Sequence, residues 1–145
     1  MKDIIFNILR NPLYMFWACL ILHIYSDFHL QGILGSYKCK DYWNVPDNPT
    51  PHMYWRDWFS ALVIHSIEWS AITFFPLIFT LNPVVWSIYV IGNAFIHAIV
   101  DHMKANLQYI NLNQDQMIHF FQIIGTLIGW CLTNNIDASL KAVIQ

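Results

Sequence analysis

Four long apolar runs, each near the length of a membrane-crossing helix, constrain this chain more than any other feature. They occupy residues 12–34, 58–80, 83–104 and 115–133. A helix needs about 20 apolar residues to cross the hydrocarbon core of a bilayer. Inside that core every backbone polar group is satisfied within its own segment, so the runs are expected as helices. Composition agrees. The 145 residues are 57% hydrophobic and 11% charged, where a soluble domain averages about 25% charged. A mean hydropathy of +0.40 would demand of a soluble fold a core too large for its polar surface to cover. The formal net charge of -2 leaves no basic footprint, which argues against nucleic acid as a partner. Cys19, Cys39 and Cys131 have no C-x-x-C spacing. Cys19 and Cys131 read as small core residues, and no disulfide framework is implied.

Residues 2–11 read as a short N-terminal amphipathic helix that stops at Asn11 and Pro12. Pro12 can open the next helix, because its missing N–H is not needed there. Asp3 interrupts the positive start and no small-residue cleavage site follows, so the first run is expected as a retained span. Residues 35–57 hold three prolines and much of the charge, and read as a loop. Its Trp43, Trp55 and the neighbouring Trp58 suit the headgroup region. Leu81 and Asn82 form a tight hairpin with Pro83 at its exit. Residues 105–114 read as a polar loop, and 134–145 as a short, weakly amphipathic tail. The expected fold is all-α: one membrane domain over 1–145, an up-down bundle of four transmembrane helices. Both termini would lie on one side, with loops 35–57 and 105–114 on the other. Lys and Arg divide too evenly between the two sides to set an orientation.

Polar residues within such helices are expensive and tend to mark function. Here they form stripes. The first span carries His23, Asp27 and Gln31. The second carries His65 and Glu68, the third Asn93, His97 and Asp101, the fourth Asp115, His119 and Gln122. Spacings of three and four put side chains on one helix face. In an up-down bundle all four stripes also agree in depth, each within about 5 to 15 Å of the loop side at 1.5 Å rise per residue. Bundle metal sites are built in this way, from inward carboxylates and histidines on facing helices. The expected ligands are His23, Asp27, His65, His97, Asp101, Asp115 and His119, with Gln31, Asn93 and Gln122 supporting them. Imidazole with carboxylate suits a divalent ion, zinc first, then manganese or iron. Two ions, or one ion with a full outer shell, both fit this count. The same groups could instead form a metal-free, proton-sharing network, or be packing hydrogen bonds between helices. Asp115 and Glu68 are the candidate general bases. His29 and His102 fall off the stripes and are expected in solvent; His52 is expected to be structural. Gly125-x-x-x-Gly129 reads as a helix-packing pair.

The strings His23-Ile-Tyr-Ser-Asp27-Phe28-His-Leu30-Gln31, His97-Ala-Ile-Val-Asp101-His-Met-Lys104 and Asp115-Gln116-Met-Ile-His119, with His65 opening the second span, resemble the pattern of a known family. It is a group of small bacterial and phage membrane proteins termed domain of unknown function 3307, and the resemblance spans residues 20–122. It implies a multi-pass protein of a bacterial inner membrane or a phage-infected host membrane. The family is distantly similar to membrane-embedded proteins described as metal-dependent hydrolases, which adds weight to a metal and little to a substrate. In that pattern a second histidine is expected one turn after His65. Trp69 stands there instead, which leaves the second span fewer ligands than a two-metal set needs.

These readings give a leading expectation and two rivals. The first is an intramembrane metal-dependent hydrolase with a His/Asp site near one face, acting on a lipid-like or phosphate-containing substrate. The second is a transporter handling protons or ions through the same network. The third is a non-enzymatic membrane partner protein whose polar cluster serves assembly. Membrane lipids are the expected partners, with a second copy or another membrane protein as alternatives.

Overall fold

A computed structural model of the chain describes residues 8, 10–44 and 54–144, the stretch 137–144 by its backbone alone. The amphipathic helix expected over 2–11, and His52, therefore lie mostly or wholly outside the described residues. Every regular element among the described residues is helical.

Helix α1 spans Pro12–Tyr25. It starts where the proline signal put it: the Asn11 side chain accepts the N–H of Leu13 at 2.9 Å, and Pro12 fills the first helical position. A π-helical turn, Ser26–Leu30, continues it. Gly32, at φ +49°, then ends the run in a left-handed conformation that favours glycine. Two short helices follow, α2 over Leu34–Tyr37 and α3 over Lys40–Trp43. The expected loop is thus partly helical at its start.

Helix α4, Asp57–Thr73, is shorter than the expected second span. It stops at Phe74, and a 3-10 turn runs over Phe75–Phe79. Pro76 is the physical reason. Inside an α-helix it would remove a backbone donor and clash with the preceding turn, and it disfavours helical backbone at Phe75. Helix α5, Pro83–Ala105, opens with the Asn82 side chain accepting the N–H of Val85 at 2.9 Å. Helix α6, Leu112–Ile144, opens on a reciprocal cap. Asn111 Oδ1 accepts the N–H of Gln114 at 3.0 Å, and Gln114 Oε1 accepts the N–H of Asn111 at 2.9 Å. Residues 134–144 continue α6, so the tail expected beyond the fourth run is an extension of the helix.

Among the described residues three segments are long and apolar enough to cross a membrane: Pro12–Leu30, Pro83–Ala105 and Leu112–Ile136. Helices α1 and α5 each pack against both α4 and α6. At one end the enclosed space is apolar, filled by Met15, Cys19, Trp69, Phe74, Leu77, Ile123, Leu127 and Trp130. Gly129 belongs to that half: a Cβ there would come within 3.0 Å of the Tyr89 hydroxyl, so its bare backbone permits the close approach of α5 and α6. Gly125 faces open space, and so contributes no such contact.

At the other end the interior is polar. His23, Lys38, His65, His97, Asp101, Asp115 and His119 are all buried, while Val84, Ile91, Phe95 and Phe121 project outward with most of their surface free. A chain folded for water does the reverse.

Candidate metal centre

Each helix delivers its polar side chains by its own local geometry. On α1, His23 precedes the π turn that carries Asp27. A π turn holds an extra residue, re-aims the side chains on it, and recurs at functional sites. His23 Nδ1 and Asp27 Oδ2 stand 3.7 Å apart. On α4, His65 is buried and points at α5. On α5, His97 and Asp101 share a face one turn apart, and on α6 Asp115 and His119 do the same.

Three ligand atoms form a nearly equilateral triangle. His65 Nε2 to His97 Nε2 is 3.2 Å, His65 Nε2 to Asp101 Oδ2 is 3.3 Å, and His97 Nε2 to Asp101 Oδ2 is 3.4 Å. Zinc bonds of about 2.0–2.1 Å at tetrahedral angles require ligand atoms about 3.3–3.4 Å apart. Asp27 Oδ1 is 3.9 Å from His65 Nε2. Asp27 with His65 and His97, and Asp101 with His97 and His119, are each grouped closely enough to hold an ion.

His23 differs from the other expected ligands, because both its ring nitrogens have protein partners. The Trp69 indole N–H donates to Nδ1 at 3.0 Å. Since Trp can only donate, Nδ1 is the acceptor and Nε2 carries the proton, which it gives to Gln116 Oε1 at 3.1 Å. The Gln116 amide in turn donates to Asp27 Oδ2 at 3.2 Å and Asp115 Oδ2 at 3.1 Å. His23 is therefore held as an orienting group beside the triangle.

Asp115 and His119 are fully buried, and their facing atoms, Oδ1 and Nε2, lie 3.4 Å apart with no hydrogen-bond partner. Gln122 decides the tautomer. Its amide nitrogen donates to the Asn93 backbone and side-chain oxygens, both at 2.9 Å, which turns Oε1 toward His119 Nδ1 at 3.3 Å. Nδ1 then carries the proton and Nε2 is an acceptor. Two acceptors facing each other in a buried site call for a shared proton, a water or a cation between them. His97 Nδ1 is also without a partner.

The remaining expected residues sort plainly. Asn93 and Gln122 support His119, with Thr126 donating to Asn93 Oδ1 at 2.9 Å. Gln31 donates to the Asp27 backbone oxygen at 2.8 Å and braces the π turn without touching a ligand atom. Glu68 is half-buried and forms no hydrogen bond or ion pair with the cluster among the described residues. No contact of Glu68 with the cluster therefore supports the role of base expected for it. His29 is exposed as expected. His102 is half-buried, one ring face stacked on Trp58 at 5.3 Å.

Three important residues escaped the sequence reading. Lys38 is 4% exposed and its ammonium donates to Asp101 Oδ2 at 2.5 Å. Asn106, capping α5, sets that reach: it accepts the N–H of Lys40 at 2.7 Å and donates to the Lys38 carbonyl at 3.0 Å. Lys104 pairs with Asp115, and lies 3.9 Å from Asp101 Oδ1. Its i+3 spacing from Asp101 was a usable signal; Lys38 had none. Gln116, beside Asp115, is the third. Trp69, in place of the histidine expected there, stacks on His97 at 4.0 Å and 16°. His97 stacks in turn on His119 at 4.3 Å.

No family model, no curated protein and no solved structure matches this chain.

Proposed function

We propose that the chain is a multi-pass integral membrane protein, an up-down bundle of four membrane helices, acting as a metal-dependent hydrolase near one membrane face. The apolar exterior around a buried polar cluster supports the membrane reading. The reversed order of contacts supports the alternation: Ser70 of α4 meets Val90 of α5, and Tyr89 of α5 meets Thr133 of α6. The observation that carries the metal is the triangle of His65, His97 and Asp101, whose edges of 3.2, 3.3 and 3.4 Å match a tetrahedral ion. Asp27, with Oδ1 3.9 Å from His65 Nε2, is the candidate fourth ligand, and zinc suits these ligands first. The motif resemblance adds to the same expectation.

The lysines argue for one ion and against two. Asp27, Asp101 and Asp115 face Lys38 and Lys104, three negative charges against two positive, a formal sum of -1. One divalent cation leaves +1 in a low-dielectric site, whereas two would leave +3. When bound, such an ion polarises a phosphoryl or carbonyl oxygen and acidifies a bound water. The chain's own part is proton handling. Asp115 Oδ1 and His119 Nε2 form the acceptor pair, Gln122 fixes the His119 tautomer, and Lys104 pairs with Asp115.

The lysines also favour the second reading, a metal-free network for protons or ions, because they already offset two of the carboxylates. Thermal melts in detergent separate the two. Under the hydrolase reading a chelator lowers the melting temperature, zinc restores it, and His65→Gln responds to neither. A wild-type protein indifferent to both chelator and zinc would leave the metal-free network standing.

Topology has its own test. With the native cysteines replaced, single cysteines at Asp47 and Tyr109 should label from one side of the membrane, and those at Asp3 and Lys141 from the other. Labelling of positions 47 and 141 from the same side would rule out four alternating spans.

A further inference from the structure

Between α1 and α6 a cleft of about 390 Å³ opens on the outer surface, lined by Leu20, His23, Asn113, Gln116, Met117 and Phe120. Its volume lies in the range of small-molecule sites, about 300–1,000 Å³. Its walls are graded. Along α6, Asn113 and Gln116 lie within about 6 Å of the helix start, while Phe120 lies about 12 Å in, at 1.5 Å per residue. Along α1, His23 lies toward the same end and Leu20 three residues deeper. Both walls thus run from polar at headgroup depth to apolar toward the bilayer centre.

The polar end leads to the cluster. Gln116 forms the partition between cleft and interior, bonded to His23, Asp27 and Asp115 at once. Behind it lie the unpartnered, fully buried Asp115 Oδ1 and His119 Nε2. On the cleft side the rim offers the exposed Asn113 amide, and the His23 Nε2–H becomes a second donor once Gln116 Oε1 releases it, while both Gln116 amide hydrogens point inward to Asp27 and Asp115. The cleft also opens at the positive end of α6.

We propose that this cleft is a lateral binding site for a membrane phospholipid, its phosphate at the Asn113–Gln116–His23 rim and one acyl chain along Leu20, Met117 and Phe120. The inference rests on the hydrolase reading for its purpose and names that enzyme's substrate class. The lipid's phosphate would replace Gln116 Oε1 as the acceptor of the His23 proton, and movement of Gln116 would open the path to the cluster.

The test uses the full chain in phosphatidylcholine vesicles doped with two photoactivatable phosphatidylcholines, one bearing a diazirine at an acyl-chain end and one in the head group. The chain-end probe should label Leu20 and Phe120 several-fold above Ile91 and Phe95, lipid-exposed residues of α5. The head-group probe should label Asn113 and Gln116. Both signals should fall in Leu20→Trp, which fills the cleft, while metal content stays at the wild-type level. Labelling of the cleft no stronger than that of Ile91 and Phe95 would mean ordinary surrounding lipid and would overturn the site, even in a metal-loaded protein. Strong cleft labelling in a protein devoid of metal would uphold the lipid site and remove the hydrolase reading alone.

Discussion

Lys38→Met should destabilise the detergent-solubilised protein by about 3–5 kcal/mol, the cost of breaking a buried ion pair from one side. Lys38 and Asp101 are among the most enclosed charges in the molecule, with side chains 5% and 2% exposed. Removing the ammonium leaves Lys104, at 3.9 Å, as the remaining lysine beside Asp101 among the described residues. The loss should be largely recovered in Lys38→Met/Asp101→Asn, because the pair disappears together and no charge is stranded. Denaturation midpoints of the two single variants and the double variant measure the coupling. Additive effects would mean that the two groups do not compensate each other. Added zinc should stabilise Lys38→Met more than wild type, since the ion then neutralises a carboxylate that has lost its lysine.

Trp69→Ala should cost a similar amount, about 3–5 kcal/mol, as expected for a large buried aromatic cut back to a methyl group. Trp69 is completely enclosed and sits at the junction between the apolar and polar halves of the interior. It fills the space against Phe74, stacks on His97 and donates to His23. Trp69→Phe separates these roles. It keeps much of the ring and loses the indole N–H, leaving His23 Nδ1 without its donor, a loss of about 1–3 kcal/mol. Trp69→Phe should also loosen the hydrogen-bond chain from His23 through Gln116 to the two carboxylates. That loosening is readable as a shift of the His23 ring nitrogen resonances in isotopically labelled protein. If Trp69→Phe left those resonances in place, the indole would not be what orients His23.

The outline of the fold was legible because its determinants are local. Asn11–Pro12 and Asn82–Pro83 mark helix starts through the chemistry of the asparagine cap and the proline ring, and both behave as the sequence suggests. The histidine–aspartate stripes were legible because i, i+4 spacing fixes a helix face whatever surrounds it. The second apolar run misled through Pro76, whose effect on the helix outweighed the hydropathy of the residues around it. The lysines misled for a different reason. Charge in a connecting segment normally belongs to solvent, and the inward reach of Lys38 depends on Asn106, 68 residues away. Gln116 lies one residue off the Asp115–His119 stripe, and its long amide side chain spans the difference. Trp69 showed only as the absence of an expected histidine, although an indole N–H does part of the same work, holding His23 in one tautomer.

Elemental analysis of the purified wild-type protein, after dialysis against metal-depleted buffer, should return close to one divalent ion per chain, with zinc predominating. His65→Ala/His97→Ala removes two corners of the ligand triangle and should return none, while circular dichroism remains helical. A wild-type protein free of divalent metal, or a double variant that keeps the wild-type stoichiometry, would contradict the assignment of His65, His97 and Asp101 as a metal centre.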